Sequence, residues 1–117
     1  MRQSSERRRD LAVPLAVEVV GRDGVRRLEY AINVSPSGIG LHVPRPLPAG
    51  EPLALAFTLP DGAGARLEVR GRVAWNEAVA RTARPRFHEV GVRFEALREA
   101  DRSRLARFVA GEIDPDR

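Results

Sequence analysis

Leu28-Glu29-Tyr30-Ala31-Ile32-Asn33-Val34-Ser35-Pro36-Ser37-Gly38-Ile39-Gly40-Leu41-His42-Val43 carries the pattern that decides the fold of this chain. Leu28, Tyr30, Ile32 and Val34 recur at every second position, Asn33 to Gly38 supplies turn residues, and Ile39, Leu41 and Val43 resume the period. Successive side chains of a strand point to opposite faces, so this period predicts two half-buried strands joined by a turn.

The same period extends in both directions. Val13, Leu15, Val17 and Val19 alternate with Pro14, Ala16 and Glu18, and Gly21-Arg22-Asp23-Gly24 predicts a hairpin into the stretch above. Beyond the proline-rich stretch from Pro44 to Pro52, Leu53, Leu55, Phe57 and Leu59 predict a fourth strand, closed by Pro60-Asp61-Gly62-Ala63-Gly64. Leu67, Val69, Gly71, Val73 and Trp75 predict a fifth, with Gly71 at a bend or bulge. Residues 77 to 87 lose the period and read as a loop, and Val90, Val92 and Phe94 restore it. Leu97, Asp101, Leu105, Phe108 and Val109 then fall near helical spacing, with Gly111 as a stop before Pro115. The expected architecture is all-β with one C-terminal helix: a six-stranded antiparallel barrel with the helix packed on it or closing one end. Residues 1–12 read as a flexible arginine-rich leader, 13–111 as a single barrel domain with its helix, and 112–117 as a tail.

Composition narrows the function. The chain of 117 residues has room for one domain, and 43% hydrophobic residues suffice for a core. With no cysteine there is no thiolate metal site and no cysteine nucleophile. No apolar run approaches the roughly 20 residues that span a bilayer, so a cytoplasmic, uninserted protein is expected. His42 and His88 have no carboxylate partner at diagnostic spacing, Ser35 lacks a G-x-S-x-G setting, and lysine is absent; no catalytic residue and no metal ligand is assigned.

All 20 basic residues are arginine, the net charge is +4 and the isoelectric point is near 11.1. Most arginines alternate with Asp or Glu, as on a solvated surface. Arg7, Arg8 and Arg9 differ, because they run together on a segment without an apolar face. Guanidinium forks suit phosphate and the O6/N7 edge of guanine. Asn33, Ser35 and Gly38 are ordinary turn residues, yet they also offer a carboxamide for a base edge, a hydroxyl, and close backbone approach. Taken together, the two segments predict a guanine nucleotide site. Trp75 alternates with core positions and reads first as a core or rim aromatic, second as a stacking surface.

The order of these pieces resembles the PilZ domain family: an arginine run before the first strand, Asn33-x-Ser35-x-x-Gly38, then Gly71-Arg72-Val73-Ala74-Trp75, then Val90-Gly91-Val92-Arg93-Phe94 and a closing helix. The resemblance covers roughly Glu6 to Ala110. It implies a six-stranded barrel that holds cyclic di-GMP as a ligand, not a cofactor, through an R-x-x-x-R and a [D/N]-x-S-x-x-G motif. The second motif is complete. In the first, Arg8 takes the leading position and Ala12 stands where the second arginine belongs. A charge-assisted hydrogen bond contributes about 1.5–3 kcal/mol, so this departure weakens binding roughly tenfold to more than a hundredfold.

The resemblance thus implies a ligand set of Arg7, Arg8, Arg9, Asn33, Ser35 and Gly38, bordered by Trp75. The first functional reading is a signalling module that binds cyclic di-GMP and relays it by ordering residues 1–12 toward a protein partner in motility, pilus or exopolysaccharide control. The second is an adaptor that has lost the nucleotide and acts through protein contacts. A small basic barrel that binds nucleic acid ranks last, because acidic residues are dispersed among the basic ones.

Overall fold

The computed structural model describes residues 7–79 and 87–111. Six strands form one closed antiparallel barrel: β1 (Arg9–Val20), β2 (Arg26–Ser35), β3 (Gly38–Val43), β4 (Pro52–Thr58), β5 (Arg66–Val79) and β6 (Phe87–Glu95), followed by α1 (Glu99–Val109). Their order around the barrel is β1-β2-β3-β6-β5-β4, and β4 returns to β1. Closure between β1 and β4 rests on Glu18 to Val20 alone, and the strands present one face to the core and one to the outside.

The inner face is aliphatic. Val17, Val34, Leu41, Leu67 and Val90 are almost fully buried, and Leu105, Phe108 and Val109 of α1 join the same core. The helix carries Glu99 and Asp101 in its first turn, where acidic groups suit the positive end of the dipole. Arg104 fastens it to the β4–β5 turn: Nε and Nη2 donate to the Asp61 carboxylate at 2.8 and 3.1 Å, and Nη1 donates to the Ala65 carbonyl at 2.6 Å.

The structure corrects several local expectations. The pairing of β1 with β2 starts at Arg9↔Val34 and Asp10↔Asn33, so Arg9 to Ala12 belong to a strand rather than to the leader. Pairing then breaks until Leu15↔Ala31, so Leu11, Ala12, Val13 and Pro14 face the single residue Ile32 and Val13 is 80% exposed. A second irregularity in β2, between Ala31 and Asn33 against β3, inverts the faces. Leu28 and Tyr30, read as core by their period, are therefore exposed, whereas Ala31 and Val34 are buried.

Glu77 to Val79 and Phe87 are strand residues, not loop; the arginines of that stretch, Arg81, Arg84 and Arg86, lie outside the described residues, as do residues 112–117. The bulge expected at Gly71 falls instead between Val73 and Trp75. Gly71 pairs regularly with Leu53 and Phe94, and a Cβ there would meet Val92 Cγ1 at 2.6 Å and the Arg93 carbonyl oxygen at 2.9 Å.

Candidate functional site

Asn33 and Ser35 lie in the last turn-proximal residues of β2, and only Pro36 and Ser37 form the turn itself. Ser35 pairs with Gly38; its hydroxyl donates to the Gly38 carbonyl at 3.3 Å and accepts from the Ser37 amide at 3.3 Å. The hydroxyl therefore braces the hairpin. Gly38 is not in the left-handed region; it is glycine because a Cβ would lie 2.5 Å from the Val92 carbonyl oxygen. Close backbone approach, not a positive φ, therefore sets this position as glycine.

Register lines up the outer face in rows. Asp10 pairs with Asn33, Asn33 with Gly40, Gly40 with Gly91, and Gly91 with Trp75. At about 4.8 Å per strand gap, Asn33 and Trp75 are roughly 14 Å apart along this row. Their side chains lean inward over the two glycines: a Cβ on Gly40 would sit 2.7 Å from Asn33 Oδ1, and one on Gly91 would overlap the Trp75 indole. The result is a floor of bare backbone with a carboxamide on one flank and an indole on the other. Among the described residues the Asn33 carboxamide has no hydrogen-bond partner, which leaves both its donor and its acceptor for a ligand.

The neighbouring row contains Ser35, Gly38, Arg93 and Arg72. Arg72 is engaged, with Nε 2.8 Å from Glu95 Oε2 and Nη1 donating to the Gly50 carbonyl at 3.1 Å. Arg93 is exposed and, among the described residues, unpaired.

The three arginines of the N-terminal run part company. Arg7 is exposed and precedes β1. Arg8 sits next to the Ser35 row, its Nε 3.4 Å from Asp10 Oδ1. Arg9 pairs with the buried Val34 and so points to the opposite side of β1 from Arg8, where, still exposed, its Nη1 donates to the Phe108 carbonyl at 2.9 Å. Asn33, Ser35, Gly38 and Trp75 are thus brought to one outer face together with Arg8. The same face presents Asp10, Gly40, Gly91 and Arg93, which the ligand set read from the sequence did not include. Glycines inside strand patterns, Gly40 and Gly91, were the available signal, since a bare strand position marks close approach.

A separate shallow groove of about 310 Å³ lies on β1, β4 and β5. Its walls satisfy one another, with Glu18 3.3 Å from Arg26 and 3.2 Å from Arg66. Among the described residues no group of His, Asp or Glu forms a metal-binding cluster.

A closed six-stranded antiparallel barrel with one C-terminal helix is the fold of PilZ domains. The PilZ domain model matches residues 1–111, and the chain belongs to the PilZ domain family. PilZ domains are receptor and adaptor domains for cyclic di-GMP, not enzymes, and the dinucleotide is their ligand rather than a cofactor. Similar solved structures include the motility inhibitor MotI/DgrA of Bacillus subtilis, at 18% identity and TM-score 0.74, covering 95% of this chain and 51% of that one. The PilZ domain of YcgR from Escherichia coli, solved with c-di-GMP, matches at 13% identity and TM-score 0.73, covering 94% and 91%. The MrkH–c-di-GMP complex of K. pneumonia matches at 12% identity and TM-score 0.74, covering 94% and 52%. This chain therefore spans about half the length of the MotI and MrkH chains. Comparison with curated protein sequences finds no match. Among the described residues no helix is long and apolar enough to cross a membrane.

Proposed function

We propose that the outer face of β2, β3, β6 and β5 binds cyclic di-GMP and that the start of β1 relays occupancy to a protein partner. The observation that carries this reading is the row Asn33-Gly40-Gly91-Trp75, in which a carboxamide and an indole flank a backbone floor. The carboxamide pairs with a guanine edge, the indole offers a stacking surface, and Arg8 with Arg7 and Arg93 faces the phosphates. The neighbours solved with c-di-GMP support the assignment of the ligand. In this reading the protein works in the cytoplasm, and its partner belongs to motility, pilus or exopolysaccharide control.

Titration calorimetry at low salt, with protein in the tens of micromolar, tests this. Binding heat, a melting temperature that climbs with ligand, and loss of both in Asn33→Ala are expected. No heat and no melting shift at millimolar ligand sinks the receptor reading.

Ala12 favours one alternative. With the second arginine position of the family motif empty and the Ser35 hydroxyl committed to its own turn, an adaptor acting only through protein contacts is the second reading. Steeply salt-dependent binding of unrelated oligonucleotides, insensitive to Asn33→Ala, supports a nucleic-acid barrel instead.

A further inference from the structure

Arg8 and Arg9 face opposite sides of one strand. Arg8 is on the outer side with Asp10, whereas Arg9 reaches to α1. There the Phe108 carbonyl accepts from Arg9 Nη1 at 2.9 Å and from the Gly111 amide at 3.0 Å. The Arg9 guanidinium carbon also lies 4.3 Å from the centroid of the Phe108 ring. The last carbonyls of a helix have no partner within it, and a cation beside them complements the negative end of the dipole. Stacking on the ring adds a cation–π contribution.

This contact matters because the start of β1 is otherwise held only by two register pairs and by Leu11, partly buried against the core. Only Arg9↔Val34 and Asp10↔Asn33 pair before the register breaks, and pairing resumes at Leu15↔Ala31. Two isolated pairs offset little of the entropy of ordering this segment. The Arg8–Asp10 ion pair is exposed on both sides and adds little.

We infer that Arg9 is a positioning residue: by clasping the C-terminal turn of α1 it keeps the first residues of β1 in register, and so holds Arg8 at the edge of the Ser35 row. The role of Arg8 rests on the nucleotide reading above, whereas the clasp does not. Coupling is reciprocal, so a ligand that favours the in-register arm also fastens the helix end.

The test uses the full chain, Arg9→Gln and, as a control, Arg8→Gln. Without ligand, Arg9→Gln is expected to speed amide exchange both at Arg9 and Asp10 and at Ala110 and Gly111, while Arg8→Gln leaves the helix end unchanged. With cyclic di-GMP, Arg9→Gln is expected to weaken binding about fivefold or more. That loss shrinks with rising salt as the loss from Arg8→Gln does, because it is exerted through Arg8, and the Arg8→Gln/Arg9→Gln double variant is expected to bind about as weakly as Arg8→Gln alone. Ligand is also expected to slow exchange at Ala110 and Gly111 in the parent protein and not in Arg9→Gln. Losses that add in the double variant would mean that Arg9 contacts the ligand independently of Arg8 and would overturn the inference. Should no form bind cyclic di-GMP, the receptor reading falls by itself, and the exchange result decides the clasp: unchanged exchange in either segment overturns it.

Discussion

Asn33 and Trp75 flank Gly40 and Gly91 in one register row and lean toward each other over them. The indole occupies the volume a Gly91 side chain would need, so Gly91→Ala must push it off the floor. Overpacking of this kind costs about 1–3 kcal/mol. Trp75 is the single tryptophan of the chain, so its fluorescence reads the displacement directly. Gly91→Ala is expected to shift Trp75 emission in the free protein and to weaken cyclic di-GMP binding at least tenfold while keeping the strand-rich circular dichroism. An unchanged emission maximum would mean the indole was never seated there.

Asp10 places a carboxylate next to Asn33 on the face assigned to an anionic ligand, and it also ties up Arg8 at 3.4 Å. At about 6 Å and a near-aqueous dielectric, one like-charge contact costs about 0.5–1 kcal/mol. Asp10→Asn is therefore expected to tighten cyclic di-GMP binding about two- to fivefold at low salt, with the gain closing as ionic strength rises. Weaker binding in a calorimetric titration would show instead that the carboxylate holds Arg8 in its working position.

Much of this was legible in the chain. Period-two runs fixed the six strands, and the helical spacing from Leu97 to Val109 fixed α1, because burial on one face is what each pattern encodes. Local irregularities were not legible. Nothing in Leu28-Glu29-Tyr30-Ala31-Ile32 signals the bulge that turns Tyr30 outward and Ala31 inward, since a one-residue slip leaves the composition of the strand unchanged. The Asn33, Ser35 and Gly38 half of the candidate site is readable as a motif. The floor was not, because Gly40 and Gly91 meet only through the non-local pairing of β3 with β6. Arg9 was grouped with Arg7 and Arg8 by adjacency, and the alternation of β1 separates them.

Among the described residues three carboxyls are shifted, the exposed Asp23 and the buried Asp61 downward and Glu29 upward, and Asp61 and Glu29 bear most on acid stability. Hydrogen bonds from Arg104 hold the Asp61 carboxyl below its usual range, partly opposed by burial. A depressed folded value means this pair stabilises fully above the ordinary carboxylate range, near pH 4, and that the contribution is lost as pH falls through the folded value. Burial raises Glu29, so stability there increases as pH drops from its raised value toward the ordinary one. Urea midpoints against pH should therefore hold up or rise slightly on approach to the carboxylate range and then fall. Asp61→Asn is expected to cost about 3 kcal/mol at neutral pH, because Arg104 keeps only part of its buried partners, and to flatten the acid limb. An acid limb equally steep in Asp61→Asn would assign it to other groups.

Ala12 supplies the most direct test of the vacant position in the arginine motif. Leu11 packs against the core and Ala12 is exposed, so Ala12 shares the outer side of β1 with Arg8 and Asp10. An arginine there lies about 13 Å along the strand from Arg8, on the other side of the Asn33 row. The two guanidinium groups would then bracket the carboxamide and approach the ligand from both directions. Each charge-assisted bond gained contributes about 1.5–3 kcal/mol, so Ala12→Arg is expected to tighten cyclic di-GMP binding roughly tenfold or more. The gain should disappear in the double variant with Asn33→Ala, because it depends on a ligand already placed over Gly40. A gain that survives without Asn33 would locate the new contact away from this floor, and no gain at all would place the start of β1 too far from the ligand to take part.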